Sequence, residues 1–170
     1  IAEKLQSRRN LCFGLKERFN HEDRGWNFRM TNLQAAIGCA QLEEIERLLA
    51  RKLEMAARYN EGLSALPLQL PYVETWAKTS VWMYAVVLKD TVPLDAFEFA
   101  EKLATCGVQT RPFFKGLHEQ PVYRKMGLFQ DVSLPVTEKI YRRGLYIPSG
   151  QAITDEQIDT VCQAIRQILI

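Results

Sequence analysis

Thr31 followed three residues later by Gln34 forms a capping box, and from it a helical pattern runs to about residue 63. Leu33, Ile37, Leu42, Ile45, Leu48 and Leu49 recur at helical spacing, with Glu43–Arg47 and Glu54–Arg58 standing as i,i+4 pairs. A run of more than 30 residues is long for one helix of a small domain, so a bend or break is expected near 41–44. Gly62 and Pro67 then stop it. Beyond them the period changes. Residues 68–73 and 81–88 are rich in aromatic and β-branched side chains and read as strands. A helix whose apolar stripe must be buried, followed by short strands, constrains the chain to helices packed on a sheet.

The remaining segments fit that plan. Pro93 opens a helix with Leu94, Phe97, Ala100, Leu103 and Ala104 on one face, and Gly107 closes it. A short strand is expected at 108–111, short helices at 121–125 and 135–143, and an extended piece at 146–148. Thr154 and Gln157 form a second capping box, launching a final helix with Ile158, Val161, Cys162, Ile165 and Leu169 inward. Upstream, residues 1–9 read as helix, and 10–30 as irregular chain broken by Gly14, Asn20, Asp23 and Gly25. The expected class is α+β: a long helix, then a small, largely antiparallel sheet with flanking helices. Residues 1–66 form the helical segment and 67–170 the small α+β domain. Ile1 enters the first helix without a capping residue, so a fragment lacking its N-terminal part is expected.

Composition excludes several classes. The 22 basic and 20 acidic residues are scattered, leaving a net charge of +2 and no basic block for nucleic acid. No apolar run reaches the length of a membrane span, and no signal peptide is visible. Cys12, Cys39, Cys106 and Cys162 lack paired-ligand spacing, and His21 and His118 are the only histidines, so no metal site is expected. Reduced, mostly buried thiols in a cytoplasmic protein are the simplest reading. Cys106 near His118 has no activating context for a nucleophile.

Two places can hold a ligand. Residues 25–41 place an amide, Asn27, and a guanidinium, Arg29, in a loop running into a helix of small residues. Such groups suit a phosphate or carboxylate, while the small residues permit close approach of another surface. The plainer alternative is a packed, hydrogen-bonded loop. Arg111, Phe113, Phe114 and His118 set one fixed cation, two aromatic faces and one titratable ring within eight residues. Aromatic faces stack on a base or sugar, and His moves protons. The alternative is an aromatic loop anchored in the core with His118 merely hydrogen-bonded.

The motif running from Gly25-Trp26-Asn27-Phe28-Arg29-Met30-Thr31-Asn32-Leu33-Gln34 through Gln41-Leu42-Glu43 resembles the hallmark of the pyridoxal-phosphate-dependent sugar-nucleotide aminotransferases of the DegT/StrS type. Gly107-Val108-Gln109-Thr110-Arg111-Pro112-Phe113-Phe114 and Leu117-His118 fall where that family has a substrate-side loop. Gly144-Leu145-Tyr146-Ile147-Pro148-Ser149-Gly150 matches its last strand. Trp82-Met83-Tyr84 and Thr110 to Phe114 are most similar to the GDP-perosamine synthase branch, which aminates a GDP-linked 4-keto-6-deoxymannose with glutamate as donor. The resemblance implies the C-terminal domain of the type I aminotransferase fold and an obligate homodimer with active sites at the subunit interface. It implies cofactor contact for Asn27 and Arg29, with Asn27 reaching the phosphate across the dimer. It places Arg111, Phe113, Phe114 and His118 on the sugar-nucleotide side. The family's cofactor-binding lysine lies upstream of the matched region, so no catalytic residue is assigned here and the chain alone is expected to be inactive. A non-catalytic dimerisation or nucleotide-sugar-binding module is the second reading.

Overall fold

In the computed structural model, which describes residues 1–14, 19–21 and 23–170, the long helical run breaks at Glu44. Helix α1 spans Ala2–Arg9, α2 spans Asn32–Glu43 and α3 spans Ile45–Leu63. The Thr31 capping box is complete: the Gln34 N–H donates to the Thr31 hydroxyl at 3.2 Å, and the Thr31 N–H donates to the Gln34 side chain at 2.9 Å. The chain packs as two compact units, Ile1–Glu46 and Arg47–Ile170. Residues 47–66 therefore side with the second unit, because Met55, Tyr59, Leu63 and Leu66 are core residues there. Residues 15–18 and 22, part of the irregular stretch expected at 10–30, lie outside the described residues.

The second unit is built on four antiparallel strands in the order β1-β2-β4-β3. These are β1 (Leu68–Gln69), β2 (Tyr84–Leu88), β3 (Arg111–Pro112) and β4 (Gly144–Ile147). Each strand is shorter than, or shifted from, the sequence expectation, and prolines limit two of the four. Pro71 follows β1 and Pro148 follows β4, and neither can donate to a ladder. Val108 cannot begin a strand because its N–H returns to the Leu103 carbonyl, while Gly107 bonds back to Ala104, closing the preceding helix in a Schellman turn. That helix, α4 (Ala96–Thr105), starts at Asp95 through its own capping box with Glu98. Helices α5 (Pro121–Lys125) and α6 (Pro135–Arg143) fall where expected, and α7 (Asp155–Leu169) starts at the Thr154 box.

Along β2, Tyr84, Val86 and Leu88 are buried and alternate with half-buried Ala85 and Val87. The period of two thus sends one face into a core shared with Phe99, Leu103, Leu145, Ile158 and Ile165. The expected Glu54–Arg58 pair does not form. Arg58 instead bridges to Asp155 and Asp159 on α7, and Arg51 joins both Glu54 and Asp155. Two long-range partners on a facing helix hold the guanidinium better than one exposed neighbour on its own helix. Arg143 donates to the carbonyls of Leu88, Lys89, Val92 and Leu94, which fastens the turn after β2 to the end of α6. No helix among the described residues is long and apolar enough to cross a membrane.

Candidate functional site

In the first unit, the loop before α2 is pinned to the end of α1. The Trp26 N–H donates to Arg8 O at 2.7 Å, the Phe28 N–H to Arg9 O at 3.0 Å, and the Leu11 N–H to Trp26 O at 3.1 Å. This pinning needs Gly25, where a Cβ would lie 2.6 Å from the backbone of Leu11 and Cys12. Trp26 and Phe28 stack with their rings 4° from parallel and stand out from the unit beside Asn27. Arg29 Nε donates to Asn27 Oδ1 at 2.9 Å. That bond uses the acceptor of the amide and leaves the Asn27 NH₂ and the Arg29 terminal nitrogens as exposed donors. The side chains that follow, Met30, Leu33, Ile37 and Leu42, are exposed, and α2 has no buried residue. Exposed apolar residues on this scale are a surface that another protein surface can cover.

In the second unit, the open end of the sheet carries two adjoining hollows of about 440 Å³ each, both lined by Trp82, Met83, Arg111 and Tyr146. Strand register assembles them. Arg111 lies opposite Tyr146 across the β3–β4 pair, so the guanidinium-bearing residue and the phenol share one rung. Phe113 packs on Tyr146 with ring centroids 4.6 Å apart, and Phe114 meets the same ring edge-on at 6.4 Å. Gly144 permits this, since a Cβ there would lie 2.5 Å from the Phe113 ring. Phe114 is 74% exposed, whereas Phe113 is half-buried. Lys115 adds a second cation, its Nζ 5.9 Å from the centre of the Tyr141 ring. Aromatic faces flanked by two cations suit a ligand that combines a planar or sugar ring with an anionic group.

His118 is placed differently. It is 3% exposed, and its Nε2 lies 3.1 Å from Glu138 Oε1 on α6. That carboxylate also accepts from the Leu134 N–H at 3.0 Å, and this bond first, then His118, holds the Glu138 carboxyl below its usual range. The structure thus brings Arg111, Phe113 and Phe114 to the cleft and sets His118 behind it as a brace. Trp82, Met83, Lys115, Tyr141 and Tyr146 complete the lining without having been singled out as site residues. The available signal was register: with Tyr84 opposite Ile147, Trp82 and Met83 must emerge at the same end of the sheet as Pro148 and Ser149.

The described residues thus form an α+β chain with exposed anion-binding donors in the loop before α2 and, in the second unit, an aromatic and cationic cleft on a small antiparallel sheet. The model of the DegT/DnrJ/EryC1/StrS aminotransferase family matches residues 1–166, and the chain belongs to that family. Among curated relatives, the GDP-perosamine synthase of Caulobacter vibrioides is 30% identical over 172 residues, covering 100% of this chain and 46% of the relative. The GDP-perosamine synthase of Vibrio cholerae is 29% identical over 166 residues, covering 98% and 45%. The solved aminotransferase TlmJ from Streptoalloteichus hindustanus superposes with a TM-score of 0.86 at 26% identity, covering 99% of this chain and 44% of that one. The chain therefore spans about half the length of the proteins it matches.

Proposed function

We propose that this chain is the C-terminal part of a pyridoxal-phosphate-dependent aminotransferase that moves an amino group from glutamate to a keto sugar carried on a nucleoside diphosphate, a reading in keeping with its GDP-perosamine synthase relatives. Pyridoxal phosphate is the cofactor of the family. The Asn27–Arg29 pair fits its phosphate: the bond from Arg29 Nε turns the amide oxygen toward the guanidinium and leaves the Asn27 NH₂ and the Arg29 terminal nitrogens as exposed donors. When bound, pyridoxal phosphate supplies the electron sink for moving the amino group. In this reading residues 1–66 link the upstream large domain to the small domain and line the interface of a homodimer. Asn27 and Arg29 hold the cofactor phosphate of the neighbouring subunit, and exposed α2 supplies the surface that packs there.

The second unit's part is to hold the substrate. Arg111 and Lys115 neutralise the diphosphate, Phe114 and Trp82 offer faces to the base or sugar, and Phe113 and Tyr146 form the floor. His118, bonded to Glu138, takes no part in holding the ligand. Lys52, the one buried lysine among the described residues, is committed to two backbone carbonyls and is not the cofactor's covalent partner. In this reading the lysine that carries the cofactor belongs to the family's upstream part, and the chain by itself has no transaminase activity.

The observation that carries this reading is the gathering of Arg111, Lys115, Trp82, Phe114 and Tyr146 around one cleft in a member of a sugar-aminotransferase family. Calorimetric titration with GDP-mannose tests it. Saturable binding that falls at least about tenfold in Arg111→Ala, worth ~1.4 kcal/mol, is expected. Equal binding by both proteins would refute the assignment of the cleft.

A further inference from the structure

Lys52 sits on α3, is only 8% exposed, and faces no carboxylate within bonding reach among the described residues. Its Nζ donates to the carbonyl of Trp82 at 3.1 Å and to that of Ser149 at 2.5 Å. These two acceptors hold a defined relation to the sheet. The β2–β4 ladder ends with Tyr84 opposite Ile147, and Trp82 and Ser149 are each two residues further out along the same register. They would face each other two rungs further on if the ladder continued. It does not: the Tyr84 N–H turns to the Ser149 hydroxyl at 3.1 Å, and the ammonium occupies the place where the strands part.

The chain enters this point under strain. Val81 has φ 47°, in the left-handed region that β-branched residues avoid, and its N–H is held by the Thr79 hydroxyl at 3.1 Å. Trp82 leaves that turn 71% exposed and lines both hollows of the cleft, while Ser149 lines the one shared with Gln109 and Thr110. Burying an ammonium without a counter-charge is costly, and desolvation lowers the Lys52 pKa. A hydrophobic residue would pack there more cheaply but would leave both carbonyls unpaired.

We propose that Lys52 is a positioning residue for the sugar-nucleotide cleft: by clamping the Trp82 and Ser149 carbonyls where the ladder opens, it sets the gap between the cleft walls and the presentation of Trp82. The clamp acts without touching ligand. Its effect on affinity rests on the functional reading above, but its hold on the two walls does not.

The experiment compares the wild-type protein with Lys52→Met, Lys52→Arg and a core control, Ile158→Val. Backbone hydrogen exchange is followed at 81–84 and 148–151, and GDP-mannose binding is measured by calorimetry. In Lys52→Met, exchange should quicken at those two segments beyond anything seen in Ile158→Val at a matched loss of Tm. Affinity should fall at least about tenfold, and Lys52→Arg, which keeps donors to both carbonyls, should restore both properties. Should Lys52→Met fail to fold, Lys52→Gln takes its place in the same comparison. Unchanged exchange at the two segments, or a change no larger than the control's, overturns the clamp whatever the ligand does. Faster exchange with unaltered affinity overturns its role in binding. A wild-type protein that ignores GDP-mannose sinks the functional reading instead, and exchange alone then decides whether Lys52 holds the walls.

Discussion

Arg58 and Asp159 meet in two parallel bonds, Nε to Oδ1 at 2.8 Å and Nη2 to Oδ2 at 2.5 Å. This bidentate pair joins α3 to α7 at the edge of the core that Met55, Tyr59 and Leu63 share with Ile158 and Ile165. The Arg58 bond holds the Asp159 carboxyl below its ordinary value of 3.8. A carboxylate whose folded pKa is depressed contributes stability above its unfolded pKa and loses that contribution as pH falls through the folded value.

Asp159→Asn should therefore cost stability at neutral pH and cost progressively less below about pH 4. Thermal melts of both proteins from pH 7 to pH 2 check this. A Tm difference that stays constant across the range would show that the pair contributes through packing and not through charge.

His118 gives a sharper contrast between support and contact. Its ring is buried against Glu138, so His118→Ala should lower folding stability by about 1–3 kcal/mol through the lost bond and the void. Affinity for GDP-mannose should stay within about twofold wherever the variant remains folded, because ~0.4 kcal/mol is all that such a change represents. A large loss of affinity at little cost in stability would return His118 to the ligand-contacting set.

Gly144 should not tolerate a side chain. In Gly144→Ala the new Cβ would press on the Phe113 ring at 2.5 Å and on the Ile140 carbonyl at 2.7 Å. Overpacking of this kind costs about 1–3 kcal/mol. Denaturant unfolding measures the loss, and the Phe113–Tyr146 contact should loosen with it. A neutral substitution would mean that Phe113 moves freely and is no part of the cleft floor.

Most helices were legible in the sequence because their signals are local. Thr31–Gln34 and Thr154–Gln157 announce two helix starts, and Pro121 and Pro135 place α5 and α6 at their first turns. The strands were less legible, since a run such as 81–88 satisfies strand propensity yet pairs only from Tyr84, after the turn at Val81. The partners of Arg58 were illegible for the same reason: a carboxylate 101 positions away competes with a neighbour on the same helix, and only the fold decides. Asn27, Arg29, Arg111, Phe113 and Phe114 could be picked out from residue type and motif. Trp82 and Lys52 could not, because their roles come from where β2 and β4 part.

In the proposed function, the loop holding Asn27 and Arg29 binds the phosphate of pyridoxal phosphate across a dimer interface. The direct measurement is cofactor affinity of the protein that carries this chain, read from cofactor absorbance after dialysis against falling concentrations of pyridoxal phosphate. Asn27→Ala should release the cofactor at least about tenfold more readily than wild type, the loss expected of one hydrogen bond to a charged phosphate. Cofactor retention equal to wild type would contradict the claim and leave Asn27 as a residue that merely fixes its loop.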